Sequence, residues 1–271
     1  MSGETEIFFH VGLGKVASTF LQHSVFPKLK GIHYIPTSQY KRSKQIINQK
    51  GPGKYLVSRE FDLQFDREVK WFTETFPQTK IIVLLRRHDS WIASQYRRYV
   101  KNGWYWDFDQ FFNLRDTGFW KKKDLLFFPK IEIIKRCCKH PPLVLLYDEL
   151  KEEPWATIDR LSVFTGTSYT QAEISLDVVH KSYSNKQLVV LRSFCRRFVR
   201  FVPREKKNKI WHWLSYRPWW AFFHLVMYAA ALFPESWIPN EDLIEPSALD
   251  DISGAFENDW KRVVDYSASA E

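Results

Sequence analysis

The run Lys80-Ile81-Ile82-Val83-Leu84-Leu85 constrains this chain more than any other stretch. It is apolar without alternation, as in a parallel strand covered on both faces. Such a strand needs helices on either side, and the sequence supplies them. Strands are predicted at 7–11, 32–35, 55–58 and 143–147, and helices at 18–26, 62–76, 90–100 and 125–138. Asp89 or Ser90 caps the third of these helices, and a further one, 154–164, starts with Pro154 in its first turn and ends before Gly166. Alternating strands and helices predict an α/β fold, a mostly parallel central sheet flanked by helices. Ligands of such sheets bind beyond the carboxyl ends of the strands, so chemistry is sought there.

Apolar residues make up 45% and charged residues 26%, a globular composition that argues against disorder. The net charge of +9 suits an anionic partner, without choosing among nucleotide, nucleic acid, acidic glycan and anionic lipid. A basic solvated surface would look the same. The three Cys form neither a disulfide framework nor a CxxC metal pattern, which predicts reduced thiols and a cytoplasmic setting. Met1–Glu6 is polar and carries no signal-peptide pattern. The longest apolar run, 219–233, falls short of the roughly 20 residues of a spanning helix.

The first predicted strand leads into Gly12-Leu13-Gly14-Lys15-Val16-Ala17-Ser18-Thr19. Two glycines let the backbone approach an anion, N–H groups at the helix start face it, Lys15 adds charge, and Ser18 and Thr19 add hydroxyls. An ordinary βα turn with an exposed Lys shares these features. The segment is not a Walker A loop, because Val16 follows Lys15 where Ser or Thr is required, which disfavours a Mg²⁺-dependent kinase. A second cationic position stands at the end of the fourth strand. Arg86 leaves the strand and Ser94 follows eight residues later on the next helix, so the two can converge on one phosphate.

Two such sites on neighbouring strands suit a nucleotide phosphorylated at two positions. Here the sequence resembles the sulfotransferases that use 3′-phosphoadenosine-5′-phosphosulfate (PAPS). The first loop, through Thr19-Phe20-Leu21-Gln22, is similar to that family's 5′-phosphosulfate motif, and Leu85-Arg86 through Ser94-Gln95-Tyr96 to its 3′-phosphate motif. Val144 through Leu150, with Pro154 and Phe164-Thr165-Gly166, resembles its last strand and following helix. His180-Lys181-Ser182-Tyr183-Ser184-Asn185-Lys186 resembles the basic loop that closes over the nucleotide. The match runs from Phe8 to Phe198 in order. It departs at the first loop, where Gly14 and Val16 flank Lys15 in place of the usual Pro and Gly or Thr.

The resemblance implies a P-loop-like sheet, PAPS as donor, PAP (adenosine 3′,5′-bisphosphate) as product, and no metal or nucleic acid partner. The nucleotide would contact Gly12, Gly14, Lys15, Val16, Ala17, Ser18, Thr19, Arg86, Ser94, Lys181, Ser182 and Asn185. Lys15 would neutralise charge on the leaving phosphate. Carbohydrate sulfotransferases of similar pattern carry a catalytic Glu after the third strand, where Glu60 stands, so Glu60 would be the general base and touch the acceptor. Pairing of Glu60 with Arg59 or Arg86 is the structural alternative, and His10, His33 and His88 are rival bases. The stretch 102–120, with Trp104, Tyr105, Trp106, Phe111 and Phe112, is a candidate acceptor wall for a carbohydrate or lipid-linked hydroxyl or amine, Trp104 and Trp106 foremost, loop packing being the alternative. A non-catalytic anion-binding module would keep both phosphate sites without transfer.

The chain divides by sequence into a PAPS-binding core, 1–202, a Trp-rich basic and apolar helical insertion, 203–240, and a C-terminal helix, 241–271. Basic residues 204–209 beside Trp211, Trp213, Trp219 and Trp220 suit a membrane surface, which would set the protein at the inner face of the membrane. Burial of that helix against the core is the alternative. Leu249, Ile252, Phe256, Trp260 and Val263 lie at helical spacing and predict a helix docked on the core.

Overall fold

The computed structural model describes residues 5–176, 183–199, 209–234 and 241–269. Five strands, β1 (Glu6–Gly12), β2 (His33–Ile35), β3 (Lys54–Glu60), β4 (Lys80–Leu85) and β5 (Leu143–Leu146), form one sheet in the order β2-β3-β1-β4-β5. Every pairing is parallel. The chain fills one side of β1 with β2 and β3 and then crosses to add β4 and β5 on the other. The carboxyl end of β1 is therefore the switch point where such sheets bind ligands.

The chain folds as two compact units, one of 1–88, 124–179 and 256–271, the other of 89–123 and 180–255. In the first, consecutive residues of β1 point to opposite faces. Phe9 meets Phe72 at 4.5 Å between ring centroids, on helix Phe65–Thr75, and Phe8 meets Phe164 at 5.8 Å, on helix Pro154–Thr165. Helices thus cover both faces, which is why β1 and β4 are apolar without alternation. Helix Phe65–Thr75 begins later than its apolar spacing predicts. Residues 61 and 62 are held by the β1 loop: the Phe61 N–H donates to the Gly12 carbonyl at 2.8 Å, and the Asp62 carboxylate accepts from the Gly14 N–H at 2.9 Å. The helix predicted over 125–138 is a short turn, Lys122–Leu125, followed by Phe128–Cys137, which starts with Pro129 in its first turn.

The C-terminal helix, Pro246–Ser269, is tied to the first unit by a buried carboxylate. Asp259 accepts from the Phe127 N–H at 2.8 Å and pairs with His88 Nε2 at 3.0 Å. Burial alone would raise this carboxyl's pKa, but the His88 bond and the Phe127 and Phe128 amides outweigh it, and the net shift is downward. Ser267 donates to the Val144 carbonyl at 2.8 Å on β5.

In the second unit, Ser184 and Gln187 form a capping box at the start of helix Asn185–Phe198, which packs against helix Lys209–Leu232.

Candidate functional site

The site begins with the turn that ends β1. In the β1–β3 register Gly12 lies opposite Glu60, so the loop and the half-buried Glu60 share one edge of the sheet. Lys15 (φ 71) and Ala17 (φ 65) both adopt the left-handed conformation without being glycine. Left-handed residues spaced along a short loop belong to the backbone pattern that gathers N–H groups into an anion-binding concavity. Strain of this kind persists only where the surroundings enforce it. Here Leu13 and Val16 are buried to 1% and 0% exposure, whereas Lys15 is exposed. Gly14 is buried and gives its N–H to Asp62. The helical run predicted from Ser18 is present but irregular: an α-turn Ser18–Phe20, a π-turn Leu21–Val25 and a 3₁₀ turn Phe26–Lys28.

Two polar atoms beside this loop are buried without a hydrogen-bond partner among the described residues, Ser18 Oγ and His10 Nε2. Both approach the same place. A Cβ built on Gly12 would lie 3.2 Å from Ser18 Oγ and 3.4 Å from His10 Nε2. A side chain at position 12 would therefore crowd both atoms, and glycine avoids this. His10 Nδ1 bonds Ser58 Oγ at 2.9 Å, and the Gln22 amide donates to the same oxygen at 3.1 Å. Complete burial pushes the His10 imidazole down to about 3, so it is neutral at working pH. An unsatisfied hydroxyl costs about 1–3 kcal/mol. Placed beside a left-handed loop and a lysine, it fits a site that a ligand oxygen completes.

Arg86 leaves the end of β4 and reaches this loop. Its guanidinium donates to the Lys15 carbonyl at 3.4 Å and stands 4.3 Å over the Tyr147 ring, at the start of the helix after β5. Lys15, Ser18, Glu60 and Arg86 are thus gathered at the carboxyl edge of β1, β3 and β4. Thr19 is half-buried in the turn after Ser18. Among the rival bases, His33 opens β2 opposite Tyr55, at the amino edge of the sheet. His88 is 1% exposed between the Phe127 and Phe256 rings, at 4.3 and 4.9 Å, as an anchor for the C-terminal helix. Arg59 donates to the Thr37 carbonyl at 3.5 Å.

The remaining expected site residues lie in the second unit. Ser94 is half-buried in helix His88–Lys101. Asn185 is engaged at both ends of its amide, accepting from Arg97 at 3.2 Å and donating to Asp242 at 3.4 Å. Trp104 stacks on Tyr99 at 5.7 Å, and Trp106 is 40% exposed, but Phe111 and Phe112 are buried, Phe111 against Tyr96 and Tyr99, and do not form the expected acceptor wall. Lys181 and Ser182 lie outside the described residues. Sequence reasoning gave no site role to Asp62 and Ser58, which meet the loop only through strand register, nor to Gln22 and Tyr147, which lie within stretches that resemble the family's but were assigned no contact. Among the described residues no three His, Cys, Asp or Glu side chains gather as a metal site would need.

No family model matches this sequence, and no curated protein matches it. Among solved structures the chain is similar to a sulfotransferase from Alicyclobacillus acidocaldarius. Their TM-score is 0.47 at 13% identity, over 86% of this chain and 98% of that one. It is also similar to the mouse sulfotransferase SULT7A1 complexed with PAP, with a TM-score of 0.43 at 15% identity, over 64% of this chain and 63% of that one.

Proposed function

We propose that this chain is a sulfotransferase that moves a sulfuryl group from PAPS to a hydroxyl or amine of a carbohydrate or glycolipid, releasing PAP. One observation carries the reading. The loop that carries Lys15 and Ser18 ends β1 beside Glu60 at the end of β3, and the Arg86 guanidinium reaches the Lys15 carbonyl of that loop from the end of β4, at the switch point of the sheet. Cationic and hydroxyl-bearing residues on a loop next to a strand-end carboxylate suit an anionic donor beside a proton acceptor. Sulfuryl transfer resembles phosphoryl transfer in needing alignment and charge neutralisation above all.

Lys15 and Ser18 hold the phosphate that carries the sulfuryl group, and Lys15 neutralises the oxygen that is freed when its bond to sulfur breaks. Glu60 takes the acceptor's proton as the new oxygen–sulfur or nitrogen–sulfur bond forms, then releases it to solvent. Arg86 binds the 3′-phosphate. Trp104 and Trp106 offer aromatic faces for a sugar or lipid-linked acceptor. The free thiols of Cys137, Cys138 and Cys195 suit a cytoplasmic setting.

Purified protein given radiolabelled PAPS and a panel of sugars, glycolipids and amines tests the reading. Transfer of one sulfate to a member of the panel, with calorimetric binding of PAP, is the expected result. Failure of both PAPS and PAP to bind at millimolar concentration would overturn it.

A further inference from the structure

We propose that the outer face of helix Lys209–Leu232 docks on an anionic lipid bilayer, with the helix lying flat among the headgroups. The inference concerns the second unit alone and stands apart from the transfer reaction.

The helix has a well-defined inner stripe. Phe223 is 2% exposed, and Met227 and Ala230 are fully buried. Gly103 (φ +88) fixes its rotation, because a Cβ there would sit 2.1 Å from the Phe223 ring. With the inner stripe set, helical spacing sends Leu214, Pro218, Ala221, Leu225, Tyr228 and Leu232 to the opposite side. All six are exposed, Leu225 to 65% and Leu232 to 85%. The outer stripe therefore runs about 30 Å and carries no acidic side chain; Tyr228 contributes a hydroxyl, Arg217 borders the stripe, and Pro218 cannot donate to the Leu214 carbonyl. Scattered exposed hydrophobes are ordinary, but a continuous stripe of this length marks a docking surface.

Charge chooses the occupant. The helix contains no Asp or Glu. Arg204, Lys206, Lys207 and Lys209, with Glu205 among them, lead into it in the sequence, Arg217 lies within it, and Arg197 is exposed at the end of the preceding helix, where Arg196 is paired with Asp107. A second copy would bring the same positive charge against itself, whereas anionic headgroups complement it. Trp211, Trp213 and Trp220, exposed to 62%, 55% and 42%, cluster toward the basic end. Tryptophan favours the headgroup level of a bilayer. No helix among the described residues is long and apolar enough to cross a membrane, so the contact is with its surface.

Flotation of the full chain with phosphatidylcholine vesicles, with and without phosphatidylserine, tests the proposal. Phosphatidylserine should strengthen binding about tenfold or more, and high salt should weaken it. Leu225→Glu with Leu232→Glu should abolish binding while the melting temperature is unchanged, since both side chains are already in water. Val163→Glu, at a position 82% exposed in the other unit, should bind as the parent does. No flotation with phosphatidylserine, or unchanged flotation of the double variant, overturns the proposal. So does a parent dimer that ignores vesicles and is split by the double variant, because a second copy would then cover the face.

Discussion

Gly12→Ala tests the space beside Ser18 and His10 with the least disturbance elsewhere. Gly12 does not use the left-handed region, so alanine brings no backbone strain. Its methyl would arrive 3.2 Å from Ser18 Oγ and 3.4 Å from His10 Nε2, a few tenths of an ångström inside an ordinary contact with the hydroxyl. Ser18 can rotate away, so the folding cost should stay near the low end of the overpacking range, about 1 kcal/mol. Binding should suffer more. A hydroxyl bond to a phosphate oxygen is charge-assisted and worth about 1.5–3 kcal/mol. Losing it would weaken PAP binding about tenfold to 100-fold. Calorimetry with PAP reads the affinity, and a thermal melt shows that the fold is intact. Ser18→Ala removes the same hydroxyl without adding bulk and should give a similar loss. If both variants melt normally and bind PAP within about twofold of the parent, Ser18 does not face the donor phosphate and the reasoning fails.

Glu60→Gln should lower kcat by about 100-fold or more with PAP affinity retained, as expected for loss of a general base; near-normal turnover removes Glu60 from the chemistry. Arg86→Ala should weaken PAP about tenfold or more relative to its analogue lacking the 3′-phosphate, and equal weakening of both would reassign Arg86. His10 gives a pH prediction. Burial depresses its pKa from 6.5 to about 3 in the fold, so between those values the unfolded chain binds a proton that the folded one refuses. Its stability contribution is complete above the ordinary pKa and is lost as pH falls, by about 1.4 kcal/mol per pH unit. Denaturant unfolding across that window should show a shallower acid limb in His10→Asn, and parallel limbs would mean that His10 is protonated in the fold.

The strands were legible because each is a short apolar run whose composition is set by burial on both faces. Lys80–Leu85 is recovered end to end. Tyr147 reads as the last strand residue but opens a helix, since Asp148 and Glu149 fall in that helix's first turn, where acidic side chains are favoured. Helix Asn185–Phe198 went unread beneath a basic, hydroxyl-rich stretch, although its signal was present. Ser184 and Gln187 have capping-box spacing, and Leu188, Leu191 and Cys195 follow at helical spacing and are buried. Within the site, Lys15, Glu60 and Arg86 could be read as charges at strand ends. The Asp62 bond to Gly14 and the Ser58 bonds to His10 and Gln22 could not. They span 48, 48 and 36 residues and exist only once β1 and β3 are in register.

The residues that flank Lys15 account for how the proposed anion loop can hold its strained backbone. A left-handed residue other than glycine costs about 1–2 kcal/mol, and Lys15 and Ala17 incur it together. Burying one valine side chain returns about 1.5–3 kcal/mol, and Val16 between them is fully buried. The two amounts are of the same size. The Val16 side chain can thus hold the strained conformation that its neighbours adopt. Anchored on both sides by Leu13 and Val16, with the Gly14 amide tied to Asp62, the loop stands ready before a ligand arrives. A loop ordered in advance leaves less entropy to lose on binding, so if Lys15 and Ser18 hold a phosphate as proposed, more of their attraction for it would appear as affinity.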